Sequence, residues 1–214
     1  MSIGIIGSGA LGSSVARALA SKGIAAVISN SRGPASLAPL VQELGPSIKA
    51  ATVQEAAAAD IVIVAVRWVD LDKVLGGLPA WNGRIVIDAT NPVKFLEPNS
   101  PEANDPTNPL AAYGIKAIDL GNKHSSQVFR DFVPGARLVK AFNHLDARAL
   151  PNAAVAGGQL VQYYSGDDAG AKAEVRKILE TIGYFPVDLG PLDVGGPLAS
   201  LPFGPLSAVS FAKI

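Results

Sequence analysis

A glycine-rich run, Gly7-Ser8-Gly9-Ala10-Leu11-Gly12, lies near the amino terminus between an apolar segment and a helical pattern. In a G-x-G-x-x-G run the first glycine permits a tight turn, the second lets the backbone approach a pyrophosphate, and the third allows close packing of helix on strand. The pyrophosphate would bind free N–H groups at the positive end of the helix. Glycine is common and the pattern alone is weak, but its position between a strand and a helix favours dinucleotide binding over a merely tight turn.

The turn after the second predicted strand reads Ser29-Asn30-Ser31-Arg32, and no acidic residue lies between positions 22 and 32. Sites for NAD carry a carboxylate here, which binds the ribose 2′-hydroxyl. Small polar donors and a guanidinium suit a dianionic 2′-phosphate instead. The turn therefore predicts NADP(H); the alternative is a surface turn whose polar residues bond locally.

Other polar residues offer weaker chemistry. The two histidines, His124 and His144, show no carboxylate pattern typical of a metal site. We expect each to lie at the surface or to support a site indirectly. The pair Asp167-Asp168 is typical of a helix N-cap. The chain has no cysteine and no Gly-x-Ser-x-Gly elbow, so we assign no metal site and no catalytic side chain.

Short apolar runs alternate with helical patterns, as in βαβ units. Strands are predicted at 3–6, 25–28, 48–53, 61–66, 84–88, 137–142, 159–165 and 184–188, and helices at 11–22, 39–44, 54–59, 69–75, 125–132 and 168–182. We expect a Rossmann-like α/β fold, a doubly wound, mostly parallel sheet with helices on both faces. Residues 1–145 would form the NADP-binding domain, and 146–214 a small α/β part that completes the substrate pocket.

Two segments break the alternation. Residues 91–109 contain five prolines and four asparagines, which predicts a long polar loop able to act as a lid. The tail, residues 190–214, carries only Asp193 and Lys213 as ionisable side chains. Such a tail must pack against its own domain or a second subunit, and we expect it to form a homodimer interface.

Composition excludes several classes of protein. Of 214 residues 49% are hydrophobic, and mean hydropathy is +0.30, so the chain is not disordered. Lys plus Arg equals Asp plus Glu at 18 each, which gives no net field toward nucleic acid or anionic membrane. The longest apolar stretch, 61–66, is too short to span a bilayer. With no basic leader before the first strand, we expect a cytoplasmic location.

The order of these motifs resembles the F420-dependent NADP reductases and the related NADPH-dependent reductase domain of the STEAP ferric reductases. The resemblance covers nearly the whole chain. It rests on the glycine run, the turn at 29–34, Val66-Arg67-Trp68, 88–92, 139–143, 164–168 and 187–192.

The resemblance implies roles for particular positions. Val66, Arg67 and Trp68 would border the cofactor, and Asn91, Pro92, Ala141 and Asn143 would surround its nicotinamide. Phe142 would lie with them beside the nicotinamide. Apart from the resemblance, the apolar tail leads us to expect an acceptor site formed by Phe142, His144, Leu198, Leu201, Pro202 and Phe203. The chain departs from the family at Arg67, where a proline is usual, at 143–144, where archaeal members carry the histidine one position earlier, and at 195–197.

Together these features predict an oxidoreductase that transfers hydride between NADPH and a small-molecule acceptor, either coenzyme F420 or a flavin. Such transfer needs two aligned rings and exclusion of water more than an acid or base. Two alternatives stay open. One is an NADPH-dependent imine or pyrroline reductase, which would need a proton donor near the nicotinamide. The other is a non-catalytic module that senses NADP(H).

Overall fold

The computed structural model describes residues 1–155 and 157–214. Strands and helices alternate along most of this length, as the hydrophobic pattern predicts. The strands are β1 (Ile3–Ile6), β2 (Ala26–Ser29), β3 (Ile48–Ala50), β4 (Ile61–Val64), β5 (Ile85–Asp88), β6 (Val93–Phe95), β7 (Ile115–Ala117), β8 (Arg137–Ala141), β9 (Ala154–Val155), β10 (Gly158–Gly166), β11 (Phe185–Asp188) and β12 (Ala212–Lys213). The α-helices are α1 (Ala10–Ala20), α2 (Ala38–Leu44), α3 (Val53–Ala57), α4 (Leu71–Leu75), α5 (Ser125–Phe132), α6 (Ala169–Ile182) and α7 (Leu192–Ala199).

The main sheet has the strand order β11-β10-β8-β5-β4-β1-β2-β3. Strands β1 to β5 and β8 pair in parallel, whereas β10 runs antiparallel to β8 and parallel to β11. The chain reverses its direction of winding at β1, which lies between β2 and β4. This is the doubly wound α/β fold expected from the sequence, with the switch point where such folds bind ligands.

Apolar side chains on both faces of the sheet bind it to two helical layers. One core cluster contains Ile5, Leu19 and Val175 and joins the sheet to α1 and α6. The other contains Val64, Leu71 and Phe129 and joins the opposite face to α4 and α5. Every residue of β4 is buried, which explains its unbroken apolar run.

Two sequence predictions of local structure were wrong. The third strand ends at Ala50 rather than 53, because Thr52 and Glu55 form a reciprocal capping box that starts α3. The segment 91–109 is not wholly a loop, since β6 lies within it and pairs antiparallel with β7. A three-residue strand among prolines is too short to show a period in sequence.

The tail contains a helix that propensity disfavours. Helix α7 includes Gly195, Gly196 and Pro197, all poor helix formers. Packing explains it: a Cβ on Gly195 would lie 2.5 Å from the Cβ of Ser165, and one on Gly196 would lie 2.8 Å from Ser126 Oγ. The glycines therefore let α7 approach β10 and α5 closely.

The rest of the tail also packs against its own chain. Strand β12 pairs with β10, and the amide of Val161 donates to the carbonyl of Phe211 at 2.8 Å. The same sheet continues across the domain boundary expected at residue 145, since β8 pairs with β10; the division into two domains stays a prediction. No helix in the described ranges is long and apolar enough to cross a membrane.

Candidate functional site

The loops that follow the parallel strands meet at one edge of the sheet. The amide of Gly7, after β1, donates to Ser29 O at 3.0 Å, and that of Ala65, after β4, donates to Ile6 O at 2.8 Å. Ala89, after β5, donates in turn to Val64 O at 3.1 Å. These bonds fix the loops side by side above the switch point, where an open α/β sheet has its crevice.

The three glycines of the run differ in what requires them. Gly7 has φ +110°, and a Cβ on it would lie 2.3 Å from Ala65 O. A Cβ on Gly12 would lie 2.0 Å from Gly7 O. At Gly9 φ is −71° and a Cβ would meet no heavy atom within 4 Å. The protein's own packing thus requires a glycine at positions 7 and 12 but not at Gly9. Gly9 faces open space, which would accommodate the pyrophosphate of a dinucleotide.

The start of α1 is free for an anion. Gly9 is its N-cap residue, without a side-chain cap, and the first turn contains no acidic residue. Ala10 is exposed, and Leu11 packs partly against the first core cluster. Ser13 Oγ donates to Ser8 O at 3.0 Å, which braces the turn before the helix. The arrangement fits the pyrophosphate of a dinucleotide.

The turn after β2 divides into buried and exposed residues. Ser29 is fully buried and donates to Ile5 O at 3.1 Å, so its hydroxyl is already engaged and the expectation that it faces the 2′-phosphate was wrong. Asn30 Nδ2 donates to Ser8 Oγ at 3.1 Å, and its Oδ1 accepts from the Arg32 amide at 2.9 Å. Asn30 thereby holds the turn against the glycine run.

Ser31 and Arg32 remain for the phosphate. Both are exposed. Within residues 1–155 and 157–214, the Arg32 guanidinium takes part in no ion pair. An exposed guanidinium that pairs with no carboxylate can bind a phosphate beside this crevice without first breaking an ion pair.

The residues after β4 take different positions. Val66 is half-buried and contacts the second core cluster. Trp68 is only 8% exposed and belongs to that cluster, so it packs beneath the edge. Arg67 is exposed and pairs with Asp70, Nε to Oδ2 at 2.7 Å; this hydrogen bond raises the pKa of the Arg67 guanidinium above its ordinary value.

An ion pair that sequence reasoning missed lies under the crevice. Lys140 Nζ donates to Asp88 Oδ2 at 2.8 Å and to Thr90 O at 3.0 Å, and Asp88 Oδ1 accepts from the amide and hydroxyl of Thr90. Both charged side chains are at most 1% exposed. Their strands β5 and β8 are neighbours, so the pair fixes the loop that begins at Thr90. A charged residue inside each apolar strand was the available signal.

Some of the residues expected around the nicotinamide are buried or hydrogen-bonded to other parts of the chain. Asn91 and Asn143 bond to each other, and Asn143 Nδ2 also donates to Ala199 O at 3.0 Å. Ala141 and Phe142 are 0% and 1% exposed and lie in the first core cluster. Phe142 therefore does not form the acceptor site, as had been expected; its φ of +64° marks the sharp turn that leaves β8.

His144 is also buried, at 1% exposure, against the ring of Tyr163 at 4.7 Å between centroids. Its Nδ1 lies 3.4 Å from Gln162 Nε2, whereas its Nε2 has no partner among the described residues. Burial lowers the pKa of His144 to about 4, so the imidazole is neutral at pH 7. The expectation that His144 contacts the acceptor was wrong, because the ring lies in the interior.

A cavity of about 580 Å³, here called the tail cavity, opens beside Pro92. Its lining consists of Pro92, 117–121, 123–125, Pro197 and 200–204. Of the tail residues expected to form an acceptor wall, Leu201, Pro202 and Phe203 line this cavity and Leu198 does not. The volume matches that of small-molecule pockets.

His124 lines the tail cavity and was not predicted to do so. It is the N-cap residue of α5, and its amide donates to Gln127 Oε1 at 3.1 Å. Both ring nitrogens are buried without a hydrogen-bond partner in the described chain. Burial lowers the pKa of His124, opposed by the nearby carboxylate of Asp193. Isolated in sequence, this histidine carried no signal of its position.

The parallel sheet and its glycine turn at the switch point define a Rossmann-type dinucleotide-binding protein. Residues 2–92 match the sequence model of a family described as NADP oxidoreductase, coenzyme F420-dependent. Over its whole length the chain is 35% identical to a hypothetical protein, SMa0349, of Sinorhizobium meliloti, covering 97% of that chain with a TM-score of 0.86. The chain belongs to this family of F420-dependent NADP oxidoreductases.

Other solved structures are more distant. A candidate F420-dependent NADP reductase from Arthrobacter sp. FB24 is 25% identical, with 89% of this chain and 85% of that chain covered and a TM-score of 0.66. A reductive aminase from Aspergillus terreus in complex with NADPH is 22% identical, and the match covers 94% of this chain but 57% of the aminase, with a TM-score of 0.60. The second likeness shows the fold alone. No curated protein matches the chain.

Proposed function

We propose that the chain binds NADP(H) along the carboxyl edge of its sheet and reduces a flat-ring acceptor, coenzyme F420 or a flavin. One observation carries the cofactor assignment. Gly9, at the start of α1, faces open space and has no side-chain cap, and the packing of the protein does not require a glycine there. The exposed Arg32 and Ser31 lie at the next loop along the edge. Backbone N–H groups would hold the pyrophosphate, and Arg32 and Ser31 the 2′-phosphate.

The nicotinamide end would lie toward Pro92, beside the tail cavity. Bound NADPH supplies a hydride to the acceptor. Leu201, Pro202 and Phe203 give the cavity an apolar side, which excludes water from the reacting rings. The buried Asp88–Lys140 pair and the Asn91–Asn143 pair hold the loops on which this cavity depends. The assignment of an F420 or flavin acceptor is supported by the family's description and by the cavity's size.

The test is a comparison of NADPH oxidation with three acceptors under identical conditions: F420, FMN and pyrroline-5-carboxylate. We expect rapid oxidation with F420 or FMN. Oxidation with pyrroline-5-carboxylate alone would replace the proposal by an imine reductase. Tight NADPH binding without oxidation by any acceptor would indicate a sensor of NADP(H) instead.

We further propose a homodimer in the cytoplasm, formed through the tail. The tail leaves Phe203, Phe211 and Ile214 between 45% and 87% exposed, and its β12 pairs with the start of β10. Light scattering at micromolar concentration tests this assembly, and a monomer mass would contradict it. The double variant Phe211→Ser/Ile214→Ser should then be a monomer with an unchanged circular dichroism spectrum.

A further inference from the structure

A groove on the protein surface runs between α5 and α7 and reaches His124. Its lining comprises His124, Gln127, Arg130, Asp167 and 191–193, and its volume is about 390 Å³. Gln127 and Arg130 follow His124 at helical spacing along α5. His124 also lines the tail cavity. His124 therefore borders both the groove and the proposed acceptor site.

The imidazole has unused hydrogen-bonding capacity. Neither Nδ1 nor Nε2 has a partner in the described chain, although both atoms are buried. A neutral imidazole has one donor and one acceptor nitrogen, and leaving such groups buried and unpaired is destabilising. An unsatisfied buried group in a native protein requires an explanation, and a catalytic role is one of those known.

The main-chain position of His124 is fixed. Its amide is bonded to Gln127 Oε1, and the next residue, Ser125, bonds through its hydroxyl to Ser200 Oγ at 3.3 Å. Ser200 in turn donates to Gly196 O at 2.7 Å. The start of α5 is thus tied to the end of α7, so the main chain at His124 keeps its place beside the two spaces.

We propose that His124 is the proton donor for the acceptor, recharged from solvent through the α5–α7 groove. This inference rests on the proposed function. With F420, the reaction forms a C–H bond at ring carbon C5 from the NADPH hydride, and the displaced electron pair moves to ring nitrogen N1. His124 gives its proton to N1, and the products are NADP⁺ and reduced F420. A movement of the ring then exposes one of its buried nitrogens to the groove, and the neutral imidazole takes a proton from water there.

Charged groups from each neighbouring element act on this proton. Asp193 of α7 and Asp167 after β10 favour the protonated imidazole, whereas Arg130 of α5 and Lys140 of β8 oppose it. Lys123 and Asp119 line the tail cavity nearby. Desolvation is the largest influence and lowers the pKa of His124 below its ordinary 6.5. The rate should therefore fall as pH rises through a value below 6.5.

The experiment compares wild type, His124→Gln and Asn122→Ala, in which the altered Asn122 is exposed and lines neither space. Single-turnover F420 reduction by NADPH is measured from pH 5 to 9, with NADPH affinity by calorimetry. We expect His124→Gln to lose about a hundredfold in rate, to lose the pH dependence, and to regain rate with added imidazole. NADPH affinity should not change, and Asn122→Ala should match wild type.

A second readout does not depend on turnover. The chain has two histidines, so the ring signals of His124 in NMR are assigned by their loss in His124→Gln. Adding F420 to the protein with NADP⁺ should shift these signals and the midpoint of their titration. An unshifted His124 titration, or a His124→Gln variant with wild-type rate and pH profile, would overturn the inference while leaving the proposed function intact. If the wild-type protein oxidises NADPH with none of the acceptors, both the inference and the proposed function are overturned.

Discussion

The side chains of Asn91 and Asn143, 52 residues apart in the chain, bond to one another. Asn91 Nδ2 donates to Asn143 O at 2.7 Å, and Asn143 Nδ2 donates to Asn91 Oδ1 at 3.1 Å. Both also hold the end of α7, because Asn91 Oδ1 accepts from the Leu201 amide at 2.9 Å and Asn143 Nδ2 donates to Ala199 O. The pair therefore joins the loops after β5 and β8 to the tail.

Asn91→Ala should loosen this junction. It leaves the Leu201 amide and the Asn143 carbonyl without these partners, and each such loss costs about 1–3 kcal/mol; Asn143 Nδ2 keeps its bond to Ala199 O. We expect a lower free energy of unfolding in urea and faster proteolysis within 200–214. Asn152→Ala, at an exposed position, is the control. Wild-type proteolysis of the Asn91 variant would show that the tail is held by other contacts.

Arg32→Ala should weaken the binding of NADPH but not that of NADH. Charge-assisted hydrogen bonds contribute about 1.5–3 kcal/mol, so NADPH affinity should fall roughly ten- to a hundredfold while NADH affinity stays nearly constant. Calorimetry with both nucleotides measures this. Equal affinity of the wild-type protein for NADPH and NADH would refute the 2′-phosphate assignment.

Gly9→Val and Gly12→Ala should fail in opposite ways. A side chain at Gly9 enters open space, so the variant should fold with only the small loss of stability that a poorer N-cap residue brings, and lose cofactor binding. A Cβ at Gly12 would lie 2.0 Å from Gly7 O, so Gly12→Ala should lower the melting temperature. Differential scanning fluorimetry with and without NADPH distinguishes them. A Gly9→Val variant destabilised as much as Gly12→Ala would mean that this space serves the fold.

Lys140→Met should destabilise the protein strongly. It leaves the Asp88 carboxylate buried without its cation, a loss that typically costs about 3–5 kcal/mol. In the double variant Asp88→Leu/Lys140→Met no charge is buried, so part of the stability should return. Urea unfolding of the single and double variants measures the difference. Additive losses would show that the two groups do not act as a pair.

His144 should make stability depend on pH. Its pKa is about 4 in the folded protein and 6.5 ordinarily, so between these values only the unfolded chain binds the proton. Stability is fully present above pH 6.5 and falls as pH drops toward 4, by about 3 kcal/mol in total. His144→Gln should flatten this part of the curve. Parallel curves for the variant and wild type would contradict the assignment.

Local patterns predicted the glycine turn, the order of strands and helices and the parallel sheet, because each depends on periodicity or on residues adjacent in sequence. They did not predict which side chains are buried at the edge. Ser29, Phe142 and His144 were expected to face ligands, but Ser29 bonds to β1, Phe142 lies in the first core cluster and His144 packs against β10. Only tertiary packing shows that these side chains point inward.

The same limit explains why His124 and α7 were missed. The surroundings of His124 come from elements as distant as α7, and α7 forms through contacts that its glycines permit rather than through helix propensity. Gly4 shows the same effect on a small scale. A Cβ on Gly4 would lie 2.0 Å from the carbonyl oxygen of Ala56, so only glycine allows these two segments to come this close. Close approaches between distant segments leave only isolated glycines in the sequence.

Helix α7 acts as a spacer of fixed length. At its start the Leu192 amide donates to Asp167 Oδ1, beyond β10, and just past its end the Leu201 amide is bonded to Asn91 at the opposite edge of the sheet. Its eight residues span about 12 Å. One residue more or fewer would move the following segment by about 1.5 Å and rotate it by about 100°. Changes in acceptor preference should therefore come more readily from substitutions at 200–204 than from insertions in the helix, whose length both anchors constrain.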